Sequence, residues 1–593
     1  MCGIIGQISL QAPIQQRQFN AMRDTLQHRG PDGFGSWFSE NRLVALGHRR
    51  LSFLDLSEKG KQPMTNETGS VWLTFNGEIY NYIPLRAELE TAGHHFSSKT
   101  DSEVLLHAYE EWGTGMLGRL KGMFAFGIWD EHRKRLLIAR DRFGIKPLYY
   151  GFLNNQFYFA SELKAILKGL AKRPAPSMEA VADFLVYRYV PSPKTIWKGL
   201  KKLPPAHYLD ISFASGSPDL SPQCYWQLPD PRLRPTPREA VHQVHELLSE
   251  SVGQHLQSDV PVGSFLSGGY DSSALVAYAH KQGKALDTFS IGFEGWEKSE
   301  DQYARRVADH LNLPLHTRLA GREQLALLDQ LAYFYDEPLG DISTIPTFMV
   351  SQMASQHRKA VLSGEGADEL FAGYTWQKPI AGLSTLSRLK YYLPEQISGT
   401  SITSYYATAM AMGRFDLEVL KDTIHPRLHD QLPAFPDWFY KKHTRQYPQL
   451  LKTVQKLDIQ TFMGELVLTK IDRASMAHGL EVRVPFLDHE LAEYLFSLHP
   501  KVYYRASQTK FLLYENIKNT LPAEILKRPK QGFVGPDSYY MDIAFYANCL
   551  RDGQLIKSDV ISPAGLERLL RDKDHWRLWK LVVLEKWWQR WMT

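Results

Sequence analysis

Residue 2 is a cysteine that opens an apolar run, Met1-Cys2-Gly3-Ile4-Ile5-Gly6. With Met1 removed, Cys2 carries a thiol and a free α-amine on one carbon. The thiol is a strong nucleophile, and the amine, with a pKa of about 7.7–8.0, is a base poised near neutral pH. One residue then supplies both halves of a nucleophilic pair. Such chemistry constrains the fold, because the chain end must sit at the edge of a rigid, buried sheet. The alternative is a small residue that merely begins a buried strand.

Four clusters supply what a nucleophile attacking an amide needs. They are His28-Arg29-Gly30-Pro31-Asp32, His48-Arg49-Arg50-Leu51-Ser52, Phe75-Asn76-Gly77-Glu78-Ile79-Tyr80-Asn81 and Thr100-Asp101-Ser102-Glu103-Val104. In the third, Val71-Trp72-Leu73 leads into Asn76-Gly77, which reads as a strand followed by a tight turn. Glycine lets the main chain approach a ligand closely, so the Asn76 amide and the Gly77 N–H can converge on one oxygen. Arg50 suits a substrate α-carboxylate and Asp101 an α-ammonium, by charge-assisted bonds.

On these motifs, residues 1 to about 210 resemble the glutaminase domain of class II, N-terminal-nucleophile, glutamine amidotransferases. The resemblance implies a four-layer αββα sandwich with Cys2 as nucleophile. It implies that Arg50, Leu51, Asn76, Gly77, Glu78 and Asp101 bind glutamine: Arg50 its carboxylate, Asn76 and Gly77 the oxyanion, Glu78 and Asp101 the amine. His28 and His48 read as loop supports. Glu103 to Trp112 reads as a helix. Pro147–Gly151 and Gln156–Phe159 read as a hairpin about Asn154-Asn155.

At 593 residues, two or more domains are expected. The net charge of +5 is small and dispersed, which argues against nucleic acid as the main partner. No run of 18 apolar residues indicates a membrane span, and the first residues lack the basic and apolar regions of a signal peptide. The three cysteines, Cys2, Cys224 and Cys549, form no C-x-x-C pair. A disulfide framework is not expected, a reducing cytoplasm suits a reactive Cys2, and Cys224 and Cys549 read as packing residues.

Prolines 229, 231, 235 and 237 mark a linker, here 211–236, between a first domain, 1–210, and a second, 237–593. Thr236, Pro237 and Glu239 form a capping box that starts a helix. The apolar run Val260 to Leu266 then leads to Ser267-Gly268-Gly269-Tyr270-Asp271-Ser272-Ser273 and the apolar Ala274–Ala277. A strand, a Gly-rich turn and a helix N-terminus make an anion site. The G-x-x-x-x-G-K-[ST] loop is absent.

This S-G-G-x-D-S-S pattern resembles the pyrophosphate loop of the ATP-pyrophosphatase family. With Thr288–Phe293, Asp336–Thr347, Val361–Glu369, Glu481–Asp488 and Leu526–Phe533, nearly the whole chain is similar to glutamine-hydrolysing asparagine synthetases. The resemblance implies a doubly wound parallel-sheet domain with extra helices, so the chain as a whole is α/β and α+β. It implies ATP binding by Leu266, Ser267, Gly268, Gly269, Asp271, Ser272, Ser273, Ile291, Ser363 and Gly364. Lys510 matches the lysine that stabilises adenylation, and Glu365 the base that takes a proton from attacking ammonia. Asp271 and Asp368 fit Mg²⁺, which takes one or two carboxylates plus phosphate oxygens. Lys527 and Lys530 suit pyrophosphate or a solvated turn. Tyr270 departs from the usual aliphatic residue and is expected to face away from the loop.

The resemblance implies ATP as co-substrate, ammonia passed through an internal tunnel, and asparagine made from aspartate. Some free-aspartate enzymes carry an arginine just past the segment matching Thr344-Ile345, where this chain has Pro346. The acceptor is therefore aspartate or another carboxylate, as in cell-wall, polysaccharide or natural-product amidation. A β-lactam-synthetase-like cyclase is disfavoured by the intact Cys2, Arg50, Asn76 and Asp101. A tRNA thiolase is disfavoured by the missing C-x-x-C pairs, and a catalytically dead scaffold by the full set of catalytic residues. A homodimer is compatible with such a chain. The Trp-rich end, Trp576 to Trp591, reads as a helix docked on the synthetase core rather than on a membrane surface.

Overall fold

The computed structural model describes residues 2–214, 218–393, 395–529 and 531–593. Two six-stranded antiparallel sheets build the first half. The first runs Leu200–Lys202, Tyr149–Leu153, Gln156–Ala160, Gly3–Ser9, Val44–Arg50, Gly33–Phe38. The second runs Gln223–Cys224, His207–Ser212, Arg135–Arg140, Gly122–Asp130, Val71–Ile79, Met64–Thr65. Side chains alternate along Gly3–Ser9, as a strand covered on both faces requires. Ile4 and Ile8 enter the core between the sheets, and Ile5 the core beneath the helices. Helices Gln16–Asp24 and Leu163–Gly169 cover the first sheet, and Tyr82–Thr91 and Asp101–Trp112 the second. The αββα sandwich is thus as expected.

Two local expectations meet different fates. The hairpin turns on Asn154 and Asn155, both with positive φ (52° and 59°), as a two-residue turn matched to strand twist requires. Asn76-Gly77 is not a turn. Both lie inside the strand Val71–Ile79, opposite Ala125 and Phe124. Gly77 is there for close approach: a Cβ would stand 2.1 Å from the Met123 carbonyl oxygen. The sheet also continues to Cys224, within the segment read as linker, and this cysteine is exposed on an edge strand, not packed.

The second half carries five parallel strands in the order Leu315–Ala320, Thr288–Phe293, Val262–Phe265, Ala360–Leu362, Glu481–Arg483. Strand order reverses between Val262–Phe265 and Ala360–Leu362. That reversal leaves a crevice at the strands' C-terminal ends, where doubly wound sheets bind ligands. Helix Pro237–His255 begins on the capping box of Thr236 and Glu239.

The C-terminal helix His575–Met592 is docked, not free. Trp579, Trp587 and Trp591 are buried, and their indole N–H groups donate to the carbonyls of Gly340, Asp336 and Ala332. Buried Lys580 donates to the carbonyls of Leu185 and Gly413 (2.7 and 2.8 Å). Among the described residues, no helix is long and apolar enough to cross a membrane. One core runs through both halves, since the helix Met178–Tyr187 joins the same apolar cluster as the parallel sheet.

Candidate active sites

Cys2 stands at the start of the strand Gly3–Ser9, at the rim of a small cavity. Arg50, Leu51, Gly77, Glu78 and Asp101 line the same cavity. The Cys2 backbone nitrogen donates to Asn76 Oδ1 (2.9 Å), while Asn76 Nδ2 is buried and has no partner among the described residues. A buried, unpaired amide donor is costly unless a ligand completes it. Arg50 is held by the carbonyls of Leu54, Ser57 and Asp55, and packs so closely on Gly60 that a Cβ there would stand 2.1 Å from Nη2. Burial raises the Cys2 thiol, which donates to the Leu51 carbonyl (3.9 Å); the positive charge of Arg50 opposes that rise. Met1 lies outside the described residues.

The acids of this site are strongly perturbed. Burial pushes Asp101 up to about 6, although the Ile79 N–H donates to it (2.9 Å). Burial also raises Glu78, whose carboxylate meets Arg483 at 3.2 Å. Arg483 belongs to the edge strand of the parallel sheet, 405 positions further along the chain. Its neighbour Glu481, bonded to it at 2.5 Å, is held at about 2 despite burial, because Arg483 and other positive charges surround it. His48 Nε2–H donates to the Phe75 carbonyl (3.1 Å), and His28 meets Glu162 (3.0 Å).

A second contact joins the halves directly behind Cys2. Arg29 Nε donates to the Cys2 carbonyl (3.1 Å). The same guanidinium grips Asp472 through two bonds, 2.9 and 3.1 Å, and Glu162 at 2.8 Å. Asp472 sits on the helix Leu468–Met476, as does Lys470, whose Nζ donates to Ser343 Oγ (2.7 Å) at the other cavity.

That other cavity, of about 370 Å³, fills the crevice at the strand reversal. Leu266, Ser267, Asp271, Ser272, Ile291, Ser363, Gly364, Glu365 and Asp368 all line it. Gly268 takes φ +68°, and Tyr303 crowds the place a Cβ would occupy. Ser267 and Ser272 hydroxyls bond each other (3.1 Å), and Gly269 N–H donates to Ser267 Oγ (3.3 Å). Helix Tyr270–Lys281 starts at Gly269 with no side-chain cap, leaving first-turn N–H groups for an anion. Ser273 Oγ is buried without a partner.

Gly364 lies against Asp271, with a Cβ position 2.9 Å from the Asp271 Cβ, so the loops after the two central strands touch. Lys510, buried and in the left-handed region (φ 52°), pairs through Nζ with both Asp271 and Asp368. Glu365 Oε2 is buried with no hydrogen-bond partner. Beside them Glu369 is pushed up to about 8 by burial and by Asp368.

Some singled-out residues fall elsewhere. The Tyr270 hydroxyl donates to the Leu526 carbonyl, away from the cavity lining. Lys527 is exposed, and Lys530 lies outside the described residues. Arg528, not singled out earlier, donates to the Ser267 carbonyl (3.1 Å) and pairs with Glu300 (3.1 Å). Its signal was its place between two lysines of a noted segment. Arg188 and Lys470 also line the cavity without having been foreseen. Pro346 is buried in the helix Thr344–Ser355 and brings no charge.

Comparison with known proteins agrees with this architecture. Residues 1–226 match the family described as glutamine amidotransferase domain, and residues 243–590 the family described as asparagine synthase. A relative from Bacillus subtilis (strain 168), asparagine synthetase [glutamine-hydrolyzing] 1, is 34% identical over 91% of this chain and 88% of its own length. A putative asparagine synthetase [glutamine-hydrolyzing] of Mycobacterium bovis is 31% identical, covering 95% and 92%. Amidase chry2 of Gibberella zeae is also 31% identical, covering 87% and 84%. With two matched domains that together span most of its length, the chain is an amidotransferase-ligase and belongs to the glutamine-hydrolysing asparagine synthetase family.

Proposed function

We propose that this enzyme amidates a carboxylate, with aspartate as acceptor and asparagine as product, through an acyl-adenylate fed by ammonia from glutamine. The observation that carries this reading is the crevice at the strand reversal, where the Ser267–Ser273 loop, Glu365 and the Lys510-bridged carboxylates converge.

In the first site Cys2 attacks the glutamine amide, with its own amine as base once Met1 is removed. Asn76 Nδ2 and the Gly77 N–H receive the oxyanion. Arg50 holds the glutamine carboxylate, and Asp101 with Glu78 its ammonium. In the second site, the loop and the first turn of the helix Tyr270–Lys281 seat the ATP phosphates, with adenine beside Ile291. Lys510 offsets charge as the acceptor oxygen joins the α-phosphorus and pyrophosphate leaves. Glu365 takes a proton from ammonia as it attacks the acyl carbon. Asp271 and Asp368 flank one ammonium, so their donor set fits a divalent cation, and these two residues would hold Mg²⁺. When bound, that ion neutralises phosphate charge. We place the functional boundary in the 211–236 segment, a cytoplasmic setting suits the thiol, and a homodimer is compatible with the chain.

A second reading keeps the chemistry and changes the acceptor. Pro346 brings no cation to the acceptor segment, and a relative of similar identity is named an amidase. The test is pyrophosphate release from ATP and Mg²⁺ with glutamine, across a panel of carboxylates. Aspartate should give AMP, pyrophosphate and asparagine. Cys2→Ala should lose glutamine-driven but not ammonium-driven synthesis. Release with larger carboxylates alone supports the second reading; ADP and phosphate as products refute both.

A further inference from the structure

We infer that Arg188, contributed by the glutaminase half, is the cation that seats the second anionic group of a dicarboxylate acceptor. The inference rests on reading the larger cavity as the adenylation site.

Arg188 ends the helix Met178–Tyr187 in the left-handed region, with φ 74°. A long side chain seldom takes that conformation, and such outliers concentrate where a site needs a residue aimed. The turn is clamped on several sides. Gly340 N–H donates to the Arg188 carbonyl (2.8 Å), and a Cβ at Gly340 would stand 3.4 Å from the Arg188 Cβ. Trp579 of the C-terminal helix holds the Gly340 carbonyl (3.1 Å), and Lys580 holds the Leu185 carbonyl one turn earlier (2.7 Å). The side chain is therefore carried on a rigid base, as precise recognition requires.

The guanidinium itself is underused. It lines the cavity, and among the described residues its one hydrogen-bond contact is from Nη1 to the Met412 sulfur, at 3.8 Å. Its Nε is buried and has no partner. Among the described residues no carboxylate lies within ion-pairing distance of it. The Phe462 ring is 5.8 Å away. A guanidinium cannot shed its charge, and it presents five N–H donors in a planar fork. Left part-buried with one weak sulfur contact, it is completed by a planar anion that fits the fork through two bonds.

Its surroundings favour an anion as well. Asp341, which also lines the cavity, is already engaged by the Ser343 N–H and hydroxyl (2.8 and 2.6 Å). Lys470 reaches the same Ser343 hydroxyl (2.7 Å). Burial opposes ionisation of Asp341, yet Lys470 and Arg188 hold its carboxyl below the usual range. Two cations thus face one acid, leaving one positive charge over. The stretch Asp341-Ile342-Ser343-Thr344-Ile345-Pro346-Thr347 supplies no cation of its own. Glu365 and Asp368 line the same cavity, and Asp368 is already paired with Lys510. A dicarboxylate is held with its spare carboxylate on Arg188 and its reacting one toward the phosphate loop. The acceptor site is then incomplete without the first half of the chain.

The test compares wild type, Arg188→Met and Arg188→Lys. Two readouts are used: steady-state pyrophosphate release, and calorimetric binding of aspartate, succinate and β-alanine to the enzyme with a non-hydrolysable ATP analogue. β-Alanine is aspartate without its second carboxylate. Arg188→Met should raise the aspartate KM and Kd about 10- to 100-fold, leave the ATP KM within about two-fold, and erase the preference for aspartate over β-alanine. Arg188→Lys should fall between, since it keeps charge but loses the fork. Circular dichroism melts check folding. An unchanged aspartate KM and an unchanged preference in folded Arg188→Met overturn the inference and leave the adenylation reading standing. A change in ATP KM instead also overturns it. Dicarboxylate binding that depends on Arg188 but yields no pyrophosphate sinks the adenylation reading and keeps the anion seat. If no dicarboxylate binds or reacts with wild type, the inference is refuted.

Discussion

Replacing Asn76 by alanine isolates the catalytic contribution of one buried amide. In the folded protein Asn76 is fully buried; Oδ1 accepts from the Cys2 nitrogen at 2.9 Å, and Nδ2 has no partner. Under the proposed function, Nδ2 is an oxyanion donor present before substrate arrives. Losing one such oxyanion donor costs about 2.7–4 kcal/mol in the transition state, a factor of about 10²–10³ in kcat. Losing the bond to the Cys2 nitrogen adds about 0.5–1.5 kcal/mol, through a less well-held nucleophile. Glutamine hydrolysis by Asn76→Ala should thus fall about 10²- to 10⁴-fold, mostly in kcat. The assay is glutamate formation measured beside ammonium-driven pyrophosphate release on one preparation. The second rate should stay within about three-fold, because Asn76 does not line the larger cavity. A loss of glutaminase smaller than about ten-fold, or an equal fall in both rates, would refute the reasoning.

Further predictions follow from the same geometry. Burial places the Asp101 carboxyl at about 6, so its charged form, which we propose pairs with the glutamine ammonium, is present above that pH and lost below it. Glutaminase kcat/KM should decline below pH 6 about ten-fold per unit, with an inflection that belongs to the Asp101–Glu78 pair jointly and vanishes in Asp101→Asn; a flat profile down to pH 5 would count against it. Gly77→Ala puts a methyl 2.1 Å from a backbone oxygen, which cannot yield as a flexible side chain does. It should destabilise the sheet by about 1–3 kcal/mol and lower the melting temperature in calorimetry. Asp472→Ala strips Arg29 of its bidentate partner in a fully buried place and should cost about 3–5 kcal/mol. Because Arg29 also holds the Cys2 carbonyl, this change in the synthetase half should depress glutamine hydrolysis, and wild-type glutaminase rates in a folded variant would argue against that coupling.

Features set by neighbouring residues were legible in the chain. The capping box at Thr236 and Glu239, the Asn154-Asn155 hairpin and the strand–loop–helix around Ser267–Ser273 each depend on a few adjacent side chains, and each stands where the pattern put it. The motifs around Cys2, Arg50, Gly77, Glu78 and Asp101 likewise meet at one cavity. Asn76-Gly77 misled because a turn signal is only local. Pairing along Gly122–Asp130 overrode it, and the glycine serves a close strand contact instead.

What the sequence determined alone was therefore the family and the half of the chain that matches each of its two domains. What the tertiary structure decided was how they meet. Arg29 finds Asp472 443 positions away, Arg483 finds Glu78, and Arg188 enters the cavity of the other half. No periodicity or motif announces such partners, because the energy of a buried charge depends on what packs around it and not on what precedes it in the chain. Only the folded arrangement brings water's replacement, an opposing charge or a waiting ligand, to each of these groups.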